Sequence, residues 1–290
     1  MIRIYGCSWC TLVISCAPSD ALRTSAALST WRQIGRASRP VRGRSGAVHR
    51  FDREGGTEKH IPEKEAYVEI VPNVHCVPGA VVNCFLIVDS DALTLIDTGF
   101  PGNDKRIVKY IVDLGHKPGD LRRILITHSD TDHVGGLAAL REATGARVCA
   151  SEAEAKAIAE GHSSRQIKPS GFRRIQFAIA RIFFKVRPAI VDEFLTDGQL
   201  LPVLGGLRVV ATPGHTPGHV SFFAPGVGIL FTGDSLSSDN GKLRVSPSIY
   251  TWDQKKANAS IRLQAELGAK IVCAAHGEVI MDAVGKFPQV

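Results

Sequence analysis

From about Ala66 to the last strand, apolar residues recur at spacings that predict alternating strands and helices. Residues 67–71 and 74–77 read as short strands around Pro72-Asn73, and 82–88 and 93–97 as a hairpin around Asp89-Ser90-Asp91. Helical spacing over 104–114 stops at Gly115. A strand is predicted at 123–127, a helix at 134–143 entered through Gly135-Gly136, and a strand at 147–150. Ser151 is placed to cap the Ala/Glu-rich helix 152–161. In the second half 207–211, 220–224, 228–232 and 270–274 read as strands, with a helix over 252–267. Two halves, each of strands followed by helices, suggest two mixed sheets face to face with helices outside.

Two segments stand apart. Residues 1–62 hold no sustained period; they are expected to be a disordered tail, a targeting segment or the product of a start codon set too far upstream, with the globular domain over 63–290. Between the halves, Phe172, Ile175, Ile179, Ile182, Phe183 and Val186 form one apolar helical stripe, with Arg173, Arg174, Arg181, Lys185 and Arg187 largely off it. This helix near 171–188 is read as a lid, a helix packed on the sandwich, a membrane-surface contact or a homodimer contact.

Charge sharpens that division. The net charge of +7 falls almost wholly on residues 1–60, where ten Lys/Arg face four Asp/Glu. The remaining twenty-five basic and twenty-four acidic residues nearly cancel, which argues against a nucleic-acid partner for the domain. Seven cysteines without framework spacing point to free thiols and a reducing, cytoplasmic compartment.

The chemistry sits where the predicted strands end. The strand at 123–127 runs into His128-Ser129-Asp130-Thr131-Asp132-His133, followed by Val134-Gly135-Gly136. The second-half strands run into Thr212-Pro213-Gly214-His215-Thr216-Pro217-Gly218-His219, into Thr232-Gly233-Asp234 and into Ala275-His276-Gly277. Any one His or Asp is more often structural than functional. Four apolar strands each ending in a His or Asp among small residues is what a metal site needs: ligands on rigid elements and room for a substrate.

With Ile96-Asp97-Thr98-Gly99, these clusters resemble the metallo-β-lactamase fold superfamily over about residues 66–280, in its glyoxalase II-like or lactonase-like branch. The resemblance implies a four-layer αββα sandwich with a mono- or dinuclear metal centre at one edge. It implies that His128, residue 130 and His215 hold a first metal, that Asp132, His133 and His276 hold a second, and that Asp234 bridges. Zn2+ is the expected metal. A metal-bound hydroxide would cleave a small-molecule ester, lactone or thioester, with Asp132 as the catalytic carboxylate that orients the nucleophile and passes a proton to the leaving group. Asp97 is expected to support the ligands and His219 to pack or orient. Only fourteen residues follow His276, too few for the helical domain with which glyoxalase II binds glutathione. Tyr250 is a weaker candidate as an oxyanion donor.

One position departs from the family pattern His-x-His-x-Asp-His: residue 130 is Asp. Two dications, a hydroxide and two carboxylates would leave a single positive charge, and a third carboxylate makes the site formally neutral. That raises the pKa of bound water and shifts preference somewhat towards Mn2+ or Fe2+. Two alternatives follow: a mononuclear iron, persulfide dioxygenase-like oxidoreductase of the same fold, or a non-catalytic metal-binding member.

Overall fold

The computed structural model describes residues 68–165 and 185–290. The expected tail over 1–62 lies outside the described residues. So does most of the expected lid helix; its described end, 185–188, has no regular structure.

The first sheet has seven strands in sequence order: β1 (Val68–Val71), β2 (Val74–Cys76), β3 (Phe85–Val88), β4 (Leu93–Ile96), β5 (Leu121–Leu125), β6 (Arg147–Ser151) and β7 (Glu193–Leu195). Pairing is antiparallel from β1 to β4 and parallel from β4 to β7. The second sheet joins β8 (Leu200–Leu201), β9 (Leu207–Ala211), β10 (Val220–Ala224), β11 (Ile229–Gly233) and β14 (Ile271–Ala274) in the order β14-β11-β10-β9-β8. Its β11 and β14 are parallel and its other pairs antiparallel. A separate hairpin links β12 (Leu236–Asp239) and β13 (Lys242–Val245).

Period-2 alternation within near-continuous apolar runs decides how these sheets stack, because both faces of each strand must be covered. Phe85, Ile87, Ile96 and Leu125 of the first sheet pack with Val209, Phe222, Phe231 and Cys273 of the second in the central layer. The rings of Phe85 and Phe231 lie 5.2 Å apart across it. The intervening residues Leu86, Leu95, Ile124 and Val148 turn the other way, onto helices α1 (Asn103–Asp113), α3 (Leu137–Thr144) and α4 (Glu152–Glu160). On the far side Val210, Phe223, Leu230 and Val272 pack with Ile261 of α5 (Gln254–Glu266). The result is the expected αββα sandwich.

Three local expectations are corrected, and one element is added. The single helix expected over 134–143 is two: α2 (Thr131–Val134), then α3. Gly135 and Gly136 separate them where the chain presses on its neighbours; a Cβ on Gly135 would lie 2.3 Å from the nitrogen of Pro101. Ser151 precedes α4 without capping it: its hydroxyl donates to the Gly218 carbonyl at 2.6 Å. The strand expected at 123–127 lies two residues earlier as β5. The hairpin β12–β13 was not expected, although Asn240-Gly241, with φ of 51° and 72°, is a strong turn signal.

Among the described residues Cys84, Cys149 and Cys273 are buried free thiols, and burial pushes Cys149 up to about 12. No described helix is long and apolar enough to cross a membrane.

Candidate metal centre

The four clusters meet at one end of the sandwich. β9, β11 and β14 run in the same direction, so His215, Asp234 and His276 all follow strand C-termini on one side. The segment after β5 brings His128, Asp132 and His133 to meet them from the first sheet. His128, His133 and His215 are almost fully buried, while Asp132 and His276 keep 17% and 19% of their side-chain surface at the mouth.

The imidazoles of His133 and His128 are each turned by a partner behind them. Asp97, held at φ 59°, accepts from the Thr127 backbone N–H at 2.9 Å and its hydroxyl at 2.8 Å. The His133 Nδ1 lies 2.9 Å from the same carboxylate. That arrangement places the ring proton on Nδ1 and leaves Nε2 facing the site. Having donated to Asp97, the Thr127 hydroxyl accepts from His128 Nδ1 at 3.0 Å, with the same result for His128. His219 is buried, and its Nε2 accepts from the Asp234 backbone N–H at 3.1 Å, fixing the turn after β11.

The aimed atoms form two donor sets. His128, His215 and Asp234 converge in one, and Asp132, His133 and His276 in the other. Asp234 spans both: Oδ2 lies 3.4 Å from His215 Nε2, while Oδ1 lies 3.3 Å from His133 Nε2 and 3.4 Å from His276 Nε2. Asp132 lies 3.4 Å from His276 and 4.0 Å from His133. Asp130 Oδ2 lies 3.2 Å from His215 Nε2 and 3.5 Å from His128 Nε2. Metal–ligand bonds of about 2.0–2.1 Å in a tetrahedral arrangement separate neighbouring donors by about 3.3–3.4 Å. Most of these spacings fall close to that value. His128 Nε2, His133 Nε2 and Asp234 Oδ1 are buried without a hydrogen-bond partner, a cost that a cation between them would remove. The residues present therefore fit a pair of divalent ions.

Without a cation the donors polarise one another. Burial pushes Asp234 up, but His276 and His133 outweigh it and hold the carboxyl well below its usual range. Burial alone would lower His133 and His276; Asp234 and neighbouring carboxylates instead raise His133 well above its usual value and His276 to about 10. Asp132 is pushed up by burial and pulled further down by His133 and His276.

Two residues that the sequence did not single out organise the surroundings. Glu154, fully buried in α4, accepts from Ser129 N–H (3.0 Å), Ser129 Oγ (2.5 Å), Ser164 Oγ (2.8 Å), Thr216 Oγ1 (2.7 Å) and Gly218 N–H (2.9 Å). It thereby ties the segment of His128 to the segment of His215. Its one legible signal is that it shares the apolar face of α4 with Ala157 and Ile158. Arg165 pairs with Asp130 and donates to the Tyr250 carbonyl, so Tyr250 contributes its backbone here.

A family model for the metallo-beta-lactamase superfamily matches residues 77–276, and the chain belongs to that superfamily. Over 209 residues it is 32% identical to the uncharacterized protein YobT of Bacillus subtilis, covering 69% of this chain and 84% of that one. It is 34% identical to a hydroxyacylglutathione hydrolase of Rhodobacter capsulatus over 119 residues, which are 41% of this chain and 35% of that protein, so the likeness spans about a third of that relative. The fold is similar to a solved metallo-beta-lactamase of Cronobacter sakazakii, a HARLDQ motif mutant, with TM-score 0.58 and 27% identity over 73% of this chain and 80% of that one. A metallo-beta-lactamase family protein of Thermus thermophilus gives TM-score 0.58 and 25% identity over 75% and 78%.

Proposed function

We propose that the protein is a dinuclear metallohydrolase that cleaves a small-molecule carboxylic ester, lactone or thioester. The observation that carries this reading is Asp234, whose two oxygens face two separate donor sets at ligand-like spacing. His128, Asp130 and His215 would hold one ion; Asp132, His133 and His276 the other; Asp234 both. Zn2+ suits the imidazole-rich set, and the oxygen donor at 130 also admits Mn2+ or Fe2+. When bound, two such ions polarise a carbonyl and make water acidic enough to serve as nucleophile near neutral pH.

The chain's own groups supply the rest. Asp132, ionised and standing at the mouth, is positioned to orient the attacking water and to accept its proton at a carboxylate oxygen. The same carboxyl then returns that proton to the departing oxygen or sulfur. Asp97 and Thr127 keep His133 and His128 in the tautomers that present Nε2. The hydroxyacylglutathione hydrolases among the relatives make a thioester one arm of the substrate panel.

The test is metal analysis of purified protein with an ester, lactone and thioester panel, comparing wild type with Asp234→Ala. Two divalent ions per chain, lost together with hydrolysis in the variant, is the expected result. No bound metal, or full activity in Asp234→Ala, overturns the reading.

A further inference from the structure

The pair Asp130–Arg165 lies beside the first donor set and is buried there, with 7% and 9% of each residue exposed. Arg165 approaches the carboxylate as a fork: Nε lies 3.0 Å from Oδ2, and Nη2 donates to the same oxygen. Its third nitrogen, Nη1, donates to the Tyr250 carbonyl, and the guanidinium carbon sits 5.9 Å from the Tyr250 ring centre. Ser163 Oγ donates to Asp130 Oδ1 at 2.5 Å. All three guanidinium nitrogens are thus committed, and Oδ2, the oxygen that takes the guanidinium fork, is also the one that faces His128 and His215, while Ser163 holds Oδ1.

This arrangement answers a problem of charge. Three carboxylates and a hydroxide neutralise two dications completely, which blunts their ability to activate water. A guanidinium does not lose its proton in a protein, so it cancels the Asp130 charge at every working pH. We propose that Arg165 is the positioning residue of the first donor set, fixing the Asp130 carboxylate towards His128 and His215 and cancelling its charge so that the pair acts as one neutral donor. The proposal rests on the dinuclear reading above. In electrical terms Asp130 with Arg165 is equivalent to an uncharged imidazole at position 130, and the net charge left at the site returns to a single positive one.

The two residues should therefore be exchangeable together and not singly. Asp130→His leaves a buried guanidinium facing metal ions with no anion beside it. Asp130→His in an Arg165→Met background has no such conflict. Full-length wild type, Arg165→Met, Asp130→His and the double variant are stripped with a chelator and titrated with Zn2+ and with Co2+. The readouts are stoichiometry by equilibrium dialysis, dissociation constants, the visible spectrum of bound Co2+ and the melting temperature of the metal-free protein.

The expected penalty of Asp130→His on the weaker-bound ion is at least tenfold with Arg165 present and under threefold with Arg165→Met. The Co2+ spectrum of the double variant should again report two occupied sites, and its metal-free melting temperature should recover several degrees over Asp130→His. Equal penalties in both backgrounds, with two ions bound by wild type, overturn the role of Arg165 alone. Wild type that takes up fewer than two ions overturns the dinuclear reading and this role with it. Asp130→Asn, which keeps the shape and removes the charge, supplies the same comparison if the histidine variant does not fold.

Discussion

Replacing Glu154 tests whether the buried network behind the ligands matters to them. Its carboxylate satisfies five donors on three segments, two of which are backbone N–H groups that have no freedom to turn elsewhere. Each buried donor left unpaired costs about 1–3 kcal/mol. The two fixed N–H groups of Ser129 and Gly218 alone put the cost of Glu154→Ala at about 2–6 kcal/mol, a large share of the roughly 5–15 kcal/mol that holds a domain together. Glu154→Gln keeps an acceptor towards Thr216, Ser164 and Gly218 but opposes the Ser129 N–H with its own amide, for about 1–3 kcal/mol. Urea unfolding of the metal-free protein measures both. Because Glu154 joins the segment of His128 to that of His215, Zn2+ affinity should also fall, by roughly 10–100-fold in Glu154→Ala, as for other groups that orient metal ligands. A loss of stability below about 1 kcal/mol with unchanged Zn2+ affinity would refute the reasoning, since five satisfied donors would then count for nothing.

Other outcomes follow from the same geometry. His276 is raised to about 10 in the metal-free protein, so its stabilising contribution is complete below its unfolded value of about 6.5 and is lost as pH rises through 10. Metal-free protein should therefore lose stability between about pH 6.5 and 10 in denaturant titrations. The same protonation means that Zn2+ uptake at pH 7 expels protons, which calorimetry in buffers of different ionisation enthalpy should detect and which should shrink towards pH 10. Gly214→Ala places a Cβ 2.3 Å from the Ala257 backbone at φ 145°, so it should displace the His215 segment and lower both melting temperature and Zn2+ affinity; an unchanged melting curve would contradict this. Phe231→Ala, in the layer between the sheets, should cost about 3–5 kcal/mol in urea unfolding without altering the donor set.

What the sequence made legible follows from which signals are local. The mostly apolar runs at 207–211 and 220–224 match β9 and β10 in full: β10 is buried at all five positions and β9 at Leu207, Val209 and Val210, so the burial of each strand is written in its own residues. The donors were legible because their clusters follow such runs among small residues. The break between α2 and α3 was not, since it depends on Phe100 and Pro101 pressing on Gly135 from another part of the chain. Arg165 and Glu154 were missed for the same reason: the role of a buried charge is set by partners remote in sequence, and the place of Glu154 on the apolar face of α4 marks only its burial. Asp130 and Arg165 stand thirty-five positions apart, and Glu154 and Gly218 sixty-four.

The division of donors between the two sheets carries a kinetic consequence. His128 joins His215 and Asp234, and Asp132 and His133 join His276, so each set draws on both halves of the chain. A folding intermediate with only the first sheet formed holds no complete set, and neither does one with only the second. Metal capture must then come after the sheets dock, late on the folding path. Bound ions would slow unfolding far more than they speed folding. In such a molecule metal loss would serve as a clock on undocking: chelator-induced loss would run at the rate at which the two sheets part, wherever release through the mouth is the slower route.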